Sequence, residues 1–309
     1  MAAGDSGASA GGVPLAPRRR FLVVHKSFSG PRWRQPLVAE VVRELEARGA
    51  AVDRAGTHGF ETDRAFAAKV AASGSYDCLV AAGGDGTLRS LASGLIGSSL
   101  PIGLVPLGTG NVMAREIGLS WNAAEIAATL LSGDVLPVRP GLANRQPFML
   151  MAGAGVDARI LRRLSLPLKR RIGQAAYTPA TLAEVMRPLE TFPVVVDGVE
   201  SEASWAIVTR VGNYAGKFLI ARHQELASDR FHAVLVRTRS RARLLGILME
   251  ALVGRLKTAR DIEVVPCTTA RLGGTVAVQV DGEEAGRGPL DIEMAGAPVQ
   301  LIVPRGRSR

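Results

Sequence analysis

A chain of 309 residues that is 47% hydrophobic and 21% charged, with 35 glycines and 17 prolines, has the profile of a folded globular protein, and its length suits two domains. Aromatic residues make up only 5%, so the core is expected to use small and branched aliphatics, which suits a compact α/β protein better than an aromatic-rich binding platform. The net charge of +10 asks for an anionic membrane surface, anionic phosphate ligands or a solvated arginine-rich face; no zinc finger, RNP-type aromatic pattern or basic zipper accompanies it, so nucleic acid is not expected.

Residues 1–19 are rich in Ala, Gly, Ser and Pro, lack a continuous apolar run, and read as a flexible tail and not as a signal peptide. "RFLVVHK", from Arg20, is a buried-strand candidate. Leu37, Val38, Val41, Val42 and Leu45 then recur at helical spacing, with Pro36 near the start and Gly49 past the end. A further helix is predicted after Asp63. The strand "DCLVAA" runs into Gly83, a helix follows from about Thr87, and the strand "IGLVP" enters a second glycine turn, "LGTGN". Asn122 with Glu125 makes a capping box for "AAEIAATLL". Strands alternating with helices imply a parallel sheet with crossover helices.

From about residue 136 the texture changes. "QPFMLMAGAG", "FPVVVDG", "SWAIVTRVG", "HAVLVR", "DIEVVP", "TVAVQVDGE" and "VQLIVP" read as strands, interrupted by helical candidates near Ala175 to Met186 and Arg241 to Leu256. A run of strands after an α/β half argues for a second, mostly antiparallel domain, with the boundary near Gly133 to Arg139. The most apolar helical piece, "LLGILMEALVG" from Leu244, is interrupted by Glu250 and falls short of the ~20 apolar residues that span a bilayer. A cytoplasmic protein with peripheral membrane contact is the expectation. Cys78 and Cys267 are too few and too far apart for a disulfide framework, and the histidines show no metal-ligand spacing.

Two glycine turns carry the functional signal. In an open parallel sheet, ligands bind outside the carboxyl ends of the strands, where both "GGDGT" and "LGTGN" sit. Glycines let backbone N–H groups approach phosphate oxygens, helped by the dipole of the following helix. Asp85, a lone carboxylate beside such a turn, would repel a phosphate unless it accepted a proton from an attacking hydroxyl or held Mg²⁺; the plain alternative is a helix cap. No GxxxxGK[ST] occurs, which excludes a P-loop kinase, and no GxGxxG opens the first β-α turn.

"AAGGDGTLRSLASGL", "PIGLVPLGTGNVMAREIGL", "GAGVDARI" and "VAVQVDGEEAG" occur in the order and approximate spacing of the diacylglycerol kinase catalytic-domain family, which includes bacterial lipid kinases and the sphingosine kinases. The chain resembles that family from about Arg20 to Pro304. "GGDGT" alone is shared with NAD kinases and phosphofructokinases, whereas "PLGTGN" with "AREIG" and a distant "VDGE" looks specifically like the lipid kinase branch. The resemblance implies a nucleotide-binding α/β domain over 20–136, of the NAD kinase and diacylglycerol kinase type, and a β-sandwich lipid-substrate domain over 137–309 whose last segment is a candidate to return to the first domain. ATP and a lipid hydroxyl would meet in the cleft between them. Gly83, Gly84, Gly86 and Thr87 match the first nucleotide loop, and Gly108, Thr109 and Asn111 the second. Asp281 and Glu283 match the C-terminal acidic pair, and the general base is assigned in some members to the aspartate matching Asp281 and in others to the one matching Asp85. Without the family, "VDGEE" is a plain hairpin turn. Asp157 matches a substrate-contacting position of sphingosine kinases, and a buried structural Asp is the alternative.

The chain departs from the family in two places. Lys26 and Ser27 stand where an Asn-Pro pair usually ends the first strand. In the central segment Lys217, Arg222, Ala227 and Ser228 stand at or near expected Gly, Pro and Asp positions, which in bacterial diacylglycerol kinases help hold a structural Mg²⁺. The expectation is therefore an ATP- and Mg²⁺-dependent lipid kinase acting on a diacylglycerol-like lipid at an anionic membrane surface. A soluble-substrate kinase of the NAD kinase type and a non-catalytic binder on a kinase fold are the alternatives. No motif encodes the oligomeric state, and a homodimer is left open.

Overall fold

Buried aliphatic runs form the centre of the first domain. In this computed structural model, which describes residues 17–25, 35–163, 177–214, 218–219, 221, 225–252 and 261–306, β1 (Arg20–His25) and β3 (Cys78–Gly83) are flanked by β2 (Ala51–Gly56) and β4 (Ile102–Pro106). All of these pair in parallel, in the order β2-β1-β3-β4. Lys26, Ser27, Lys217 and Arg222 lie outside the described residues. Helices α1 (Gln35–Ala47), α2 (Phe60–Ser73), α3 (Asp85–Gly94), α4 (Val112–Glu116) and α5 (Ala123–Ser132) connect or follow the strands. Val41, Val42 and Leu45 of α1 are fully buried, the face that their spacing predicted.

Two predicted helix starts move. The helix expected after Asp63 begins at Phe60, because Asp63 sits inside the first turn and accepts the backbone N–H of His58 at 2.8 Å. The helix expected from about Thr87 begins at Asp85, with Gly84 as its cap. Asn122 caps α5, its side-chain oxygen accepting the amides of Ala124 and Glu125, but its own amide donates to the Ser120 hydroxyl at 3.0 Å and not to Glu125 as the predicted capping box required. At the other end of α5, the Arg18 guanidinium donates to the carbonyls of Leu130 and Gly133.

The second half is a β-sandwich. One antiparallel sheet runs β10 (Val199–Ala203), β9 (Phe192–Val196), β16 (Ala270–Leu272), β19 (Leu290–Met294), β6 (Gly141–Ala143), β7 (Gln146–Phe148). The other runs β15 (Ile262–Cys267), β14 (Phe231–Val236), β11 (Trp205–Thr209), β8 (Met151–Gly155), β17 (Ala277–Val280), β18 (Glu283–Arg287). Ala206 and Val208 of β11 pack into the space between the sheets, and their neighbours Trp205 and Ile207 face a core continuous with the first domain. The central strands of the second sheet, β11, β8 and β17, are thus buried on both faces, while the first sheet shows water one face, as the alternating burial of β16 and β19 records. A short antiparallel pair, β12 (Asn213–Tyr214) and β13 (Phe218–Leu219), and helices α6 (Val156–Arg163), α7 (Tyr177–Val185) and α8 (Arg241–Leu252) lie beside the sandwich strands in sequence. Among the described residues no helix is long and apolar enough to cross a membrane.

The last strand, β20 (Val299–Val303), leaves the sandwich and enters the first sheet between β4 and β5 (Asp134–Val138). It pairs in parallel with β4 and antiparallel with β5. The architecture is therefore an N-terminal α/β domain with a parallel-rich sheet and a C-terminal antiparallel β-sandwich, as the order of elements predicted.

Candidate active site

The two glycine turns pack backbone against backbone. A Cβ at Gly108 would stand 2.6 Å from the Cα of Gly84, and one at Gly83 would overlap the Thr87 hydroxyl. Leu107 donates its amide to the carbonyl of Gly83 at 2.9 Å. Glycine is required here by contact between the turns, independently of any ligand.

Asp85 joins the turns. Although it opens α3, its carboxylate accepts the amides of Val112 at 3.0 Å and Met113 at 3.2 Å, so it caps α4 on the far side of the second turn. Burial holds its carboxyl above the usual range, against the lowering by those amides. Asn111 has a left-handed backbone, φ 47°, and its side-chain amide donates to the carbonyl of Gly108 at 2.6 Å. Its Oδ1 is buried without a hydrogen-bond partner. Thr109, in the same turn, is half-buried.

The hairpin between β17 and β18 brings the C-terminal acids to the first turn. Glu283 Oε1 lies 3.2 Å from where a Cβ of Gly86 would be. Its side chain is 66% exposed. Asp281 behaves differently: φ is 50°, the residue is 8% exposed, and its carboxylate accepts the amides of Met149 (2.8 Å), Leu150 (2.8 Å) and Met151 (3.0 Å). Those bonds explain why "QPFMLMAGAG", expected as one strand, is broken between β7 and β8. The amides that would continue a ladder are taken by Asp281. Burial pushes the Asp281 carboxyl up to about 6, opposed by the charge of Arg89 and by the three amides.

Asp157, at the start of α6, is buried with no route to Glu283 through direct contact. Its carboxylate accepts the amide of Ala158 at 2.8 Å and the Gln279 side-chain amide at 3.0 Å, and burial pushes it up to about 7. Gln279 in turn accepts the amide of Gly282 at 2.9 Å, so a polar chain links Asp157 to the hairpin. Gly153 leaves room for this pair, since a Cβ there would come within 2.8 Å of Asp157 Oδ2.

Three contributors were given no role by the sequence, although Arg89 lies within "AAGGDGTLRSLASGL" and Glu116 within "AREIG". Arg89, buried on α3, donates from Nε to the Pro147 carbonyl at 2.8 Å and lies 3.4 Å from Glu283 and 4.0 Å from Asp281. Glu116 of α4 accepts the amides of Gly212 and Asn213 and the Asn213 side chain at 2.6 Å, clamping the sandwich to the second turn. Arg210 is fully buried, and its guanidinium donates to the carbonyls of Leu226 (2.6 Å), Ser228 (2.7 Å) and Arg230 (2.8 Å); burial lowers it to about 10. Asp229, in the same loop, is 72% exposed and pairs with Arg139. These donors do not fit a structural Mg²⁺ at this loop: carbonyl oxygens that could face a metal already face a guanidinium, and no group of three metal-binding side chains occurs among the described residues.

Comparison with known proteins agrees with this architecture. Residues 20–143 match the diacylglycerol kinase catalytic domain, and residues 151–303 match the YegS C-terminal NAD kinase beta sandwich-like domain. A diacylglycerol kinase of Bacillus subtilis is 25% identical over 301 residues, covering 94% of this chain and 98% of the relative. One from Mycobacterium tuberculosis is 26% identical over 277 residues, covering 85% and 88%. A solved diacylglycerol kinase structure from Bacillus anthracis shares the fold with a TM-score of 0.72 at 21% identity, covering 93% of this chain and 97% of that one. The first domain belongs to the diacylglycerol kinase catalytic-domain family and the second to the YegS C-terminal NAD kinase beta sandwich-like family.

Proposed function

We propose that the protein is an ATP-dependent lipid kinase that transfers the γ-phosphoryl group to a hydroxyl of a diacylglycerol-like lipid. The observation that carries this reading is the meeting of the exposed Glu283 with Gly86, which sets a carboxylate from the sandwich against the first glycine turn. Phosphoryl transfer asks for positioning, charge neutralisation and a carboxylate within reach of the nucleophilic hydroxyl.

In this reading the paired turns, Gly83 to Thr87 and Gly108 to Asn111, take the nucleotide phosphates, and the unpartnered Oδ1 of Asn111 is an acceptor for a donor on the ligand. Glu283 is the carboxylate exposed enough to touch the lipid hydroxyl and remove its proton as the oxygen attacks. Asp281 and Asp85 place their oxygens on backbone amides and hold the two loops that frame Glu283. Magnesium bound with ATP would neutralise phosphate charge, and Asp85 is the carboxylate set between the two turns that would hold it. Asp157 and Gln279 support the hairpin from behind and, in this reading, form the floor of the lipid side of the cleft. The net charge of +10 supports peripheral attachment to an anionic membrane from the cytoplasmic side.

The test is transfer of labelled γ-phosphate from Mg²⁺-ATP to diacylglycerol, monoacylglycerol, a sphingoid base and NAD, the lipids being presented in anionic vesicles. Labelled lipid is expected, with rates falling as salt rises. Glu283→Gln should lower kcat at least about 100-fold without loss of stability. Transfer to NAD alone, or an unchanged kcat in Glu283→Gln, would overturn the reading.

A further inference from the structure

Arg89 is the point where the first turn and the acidic hairpin are tied together. It follows "GGDGTL" on α3, and its guanidinium reaches three groups of the other domain: the Pro147 carbonyl at 2.8 Å, Glu283 at 3.4 Å and Asp281 at 4.0 Å. Gln146 Oε1 lies 3.5 Å from its second terminal nitrogen, and the Phe60 ring covers it at 4.8 Å to the centroid. Its side chain is 7% exposed, so water screens these contacts little, and a guanidinium suits several planar acceptors at once.

We propose that Arg89 is a positioning residue for phosphoryl transfer: it aims Glu283 at the first glycine turn and balances the paired charges of Asp281 and Glu283, so that the hairpin is assembled as a base only when α3 carries a guanidinium. The proposal rests on the kinase reading above and adds to it the residue that fixes the geometry. Asp281 faces Arg89 from α3 and the amides of Met149 to Met151 from the connection between β7 and β8, and Glu283 shares its hairpin. Gln279, beside it on β17, passes the buried Asp157 no closer than the Gly282 amide. Arg89 is thus the cation set against Asp281 and Glu283, while the hairpin's third carboxylate, Glu284, pairs with Arg162 of α6 at 3.5 Å. Without it, the buried Asp281 carboxyl loses the charge that opposes its burial and favours the protonated form more strongly.

The experiment compares wild type, Arg89→Lys and Arg89→Gln in the vesicle assay between pH 5 and 9, with circular dichroism and ATP binding measured alongside. Arg89→Gln is expected to lower kcat about 10-fold or more with KM for ATP within about 2-fold, and to move the acid limb of the kcat profile to higher pH. Arg89→Lys keeps the charge and should restore the limb, but not the full kcat, because one ammonium cannot bridge three acceptors. A wild-type kcat in Arg89→Lys, or an unmoved limb in a folded Arg89→Gln, overturns the proposal. A second readout needs no lipid: the carboxyl carbon resonance of Asp281, assigned by its loss in Asp281→Asn, should titrate higher in Arg89→Gln than in wild type. An equal titration overturns the proposal whatever the acceptor proves to be, whereas absence of transfer in wild type strikes only the kinase reading.

Discussion

The glycine turns and the acidic hairpin meet at Gly86, yet they are built in opposite ways. The turns are held by the absence of side chains: Gly84 and Gly108 touch through their backbones, and Asp85 reaches across with one carboxylate. The hairpin is held by side chains that are almost all polar, with Asp281 on three amides and Arg89 beside it. The difference teaches which kind of change each tolerates. Adding atoms threatens the turns, and removing charge threatens the hairpin.

The largest effect is expected from Asp281→Ala. It strands three buried amide donors and leaves Arg89 facing an emptied site, which should cost about 5 kcal/mol in urea denaturation. A loss below about 1 kcal/mol would mean that the hairpin is held by something other than its charged groups. Gly108→Ala comes next. The added carbon meets Gly84 at 2.6 Å, so the turns must part, at about 1–3 kcal/mol and with weakened ATP binding. Unchanged binding and stability would show that the turns have slack.

A third test sharpens the comparison through pH. Asp157 and Asp281 are both raised, to about 7 and about 6, above the ordinary carboxyl value that they recover on unfolding. The folded state therefore holds protons that the unfolded state has released, and stability from these groups, complete below about pH 4, declines as pH rises through 6 and 7. Each titrating proton contributes a slope of at most about 1.4 kcal/mol per pH unit. Denaturation at pH 5, 6, 7 and 8 should show the decline, and Asp157→Asn should flatten its upper part. A slope that Asp157→Asn leaves intact would remove Asp157 from the account.

Much of the first domain was legible because its signals are local. Strand runs, the bracketed α1 and the Asn122 cap can each be read within a dozen residues. Asp85 was legible as a cap but not as the cap of a different helix, since nothing in "GGDGT" says that Val112 lies beside it. The hairpin at Asp281 reads as a turn, yet its bond to Met149, far back in the chain, broke a strand that alternation alone would have kept whole. Arg89, Glu116 and Arg210 were missed for one reason. Arginine and glutamate in helices and strands look like solvated surface, and only long-range packing turns them inward. Arg210 could have been suspected from its place beside the altered central segment.

The placement of β20 bears on how the protein is made. A chain emerging from the ribosome ordinarily completes its first domain while the second is still being synthesised. Here β4 and β5 have an open slot between them until residues 299–303 are released, so the nucleotide half waits, with apolar strand edges uncovered, until the sandwich has been synthesised. The two halves are in that sense born together, and a cell making this protein must guard a half-finished sheet while the sandwich is being made.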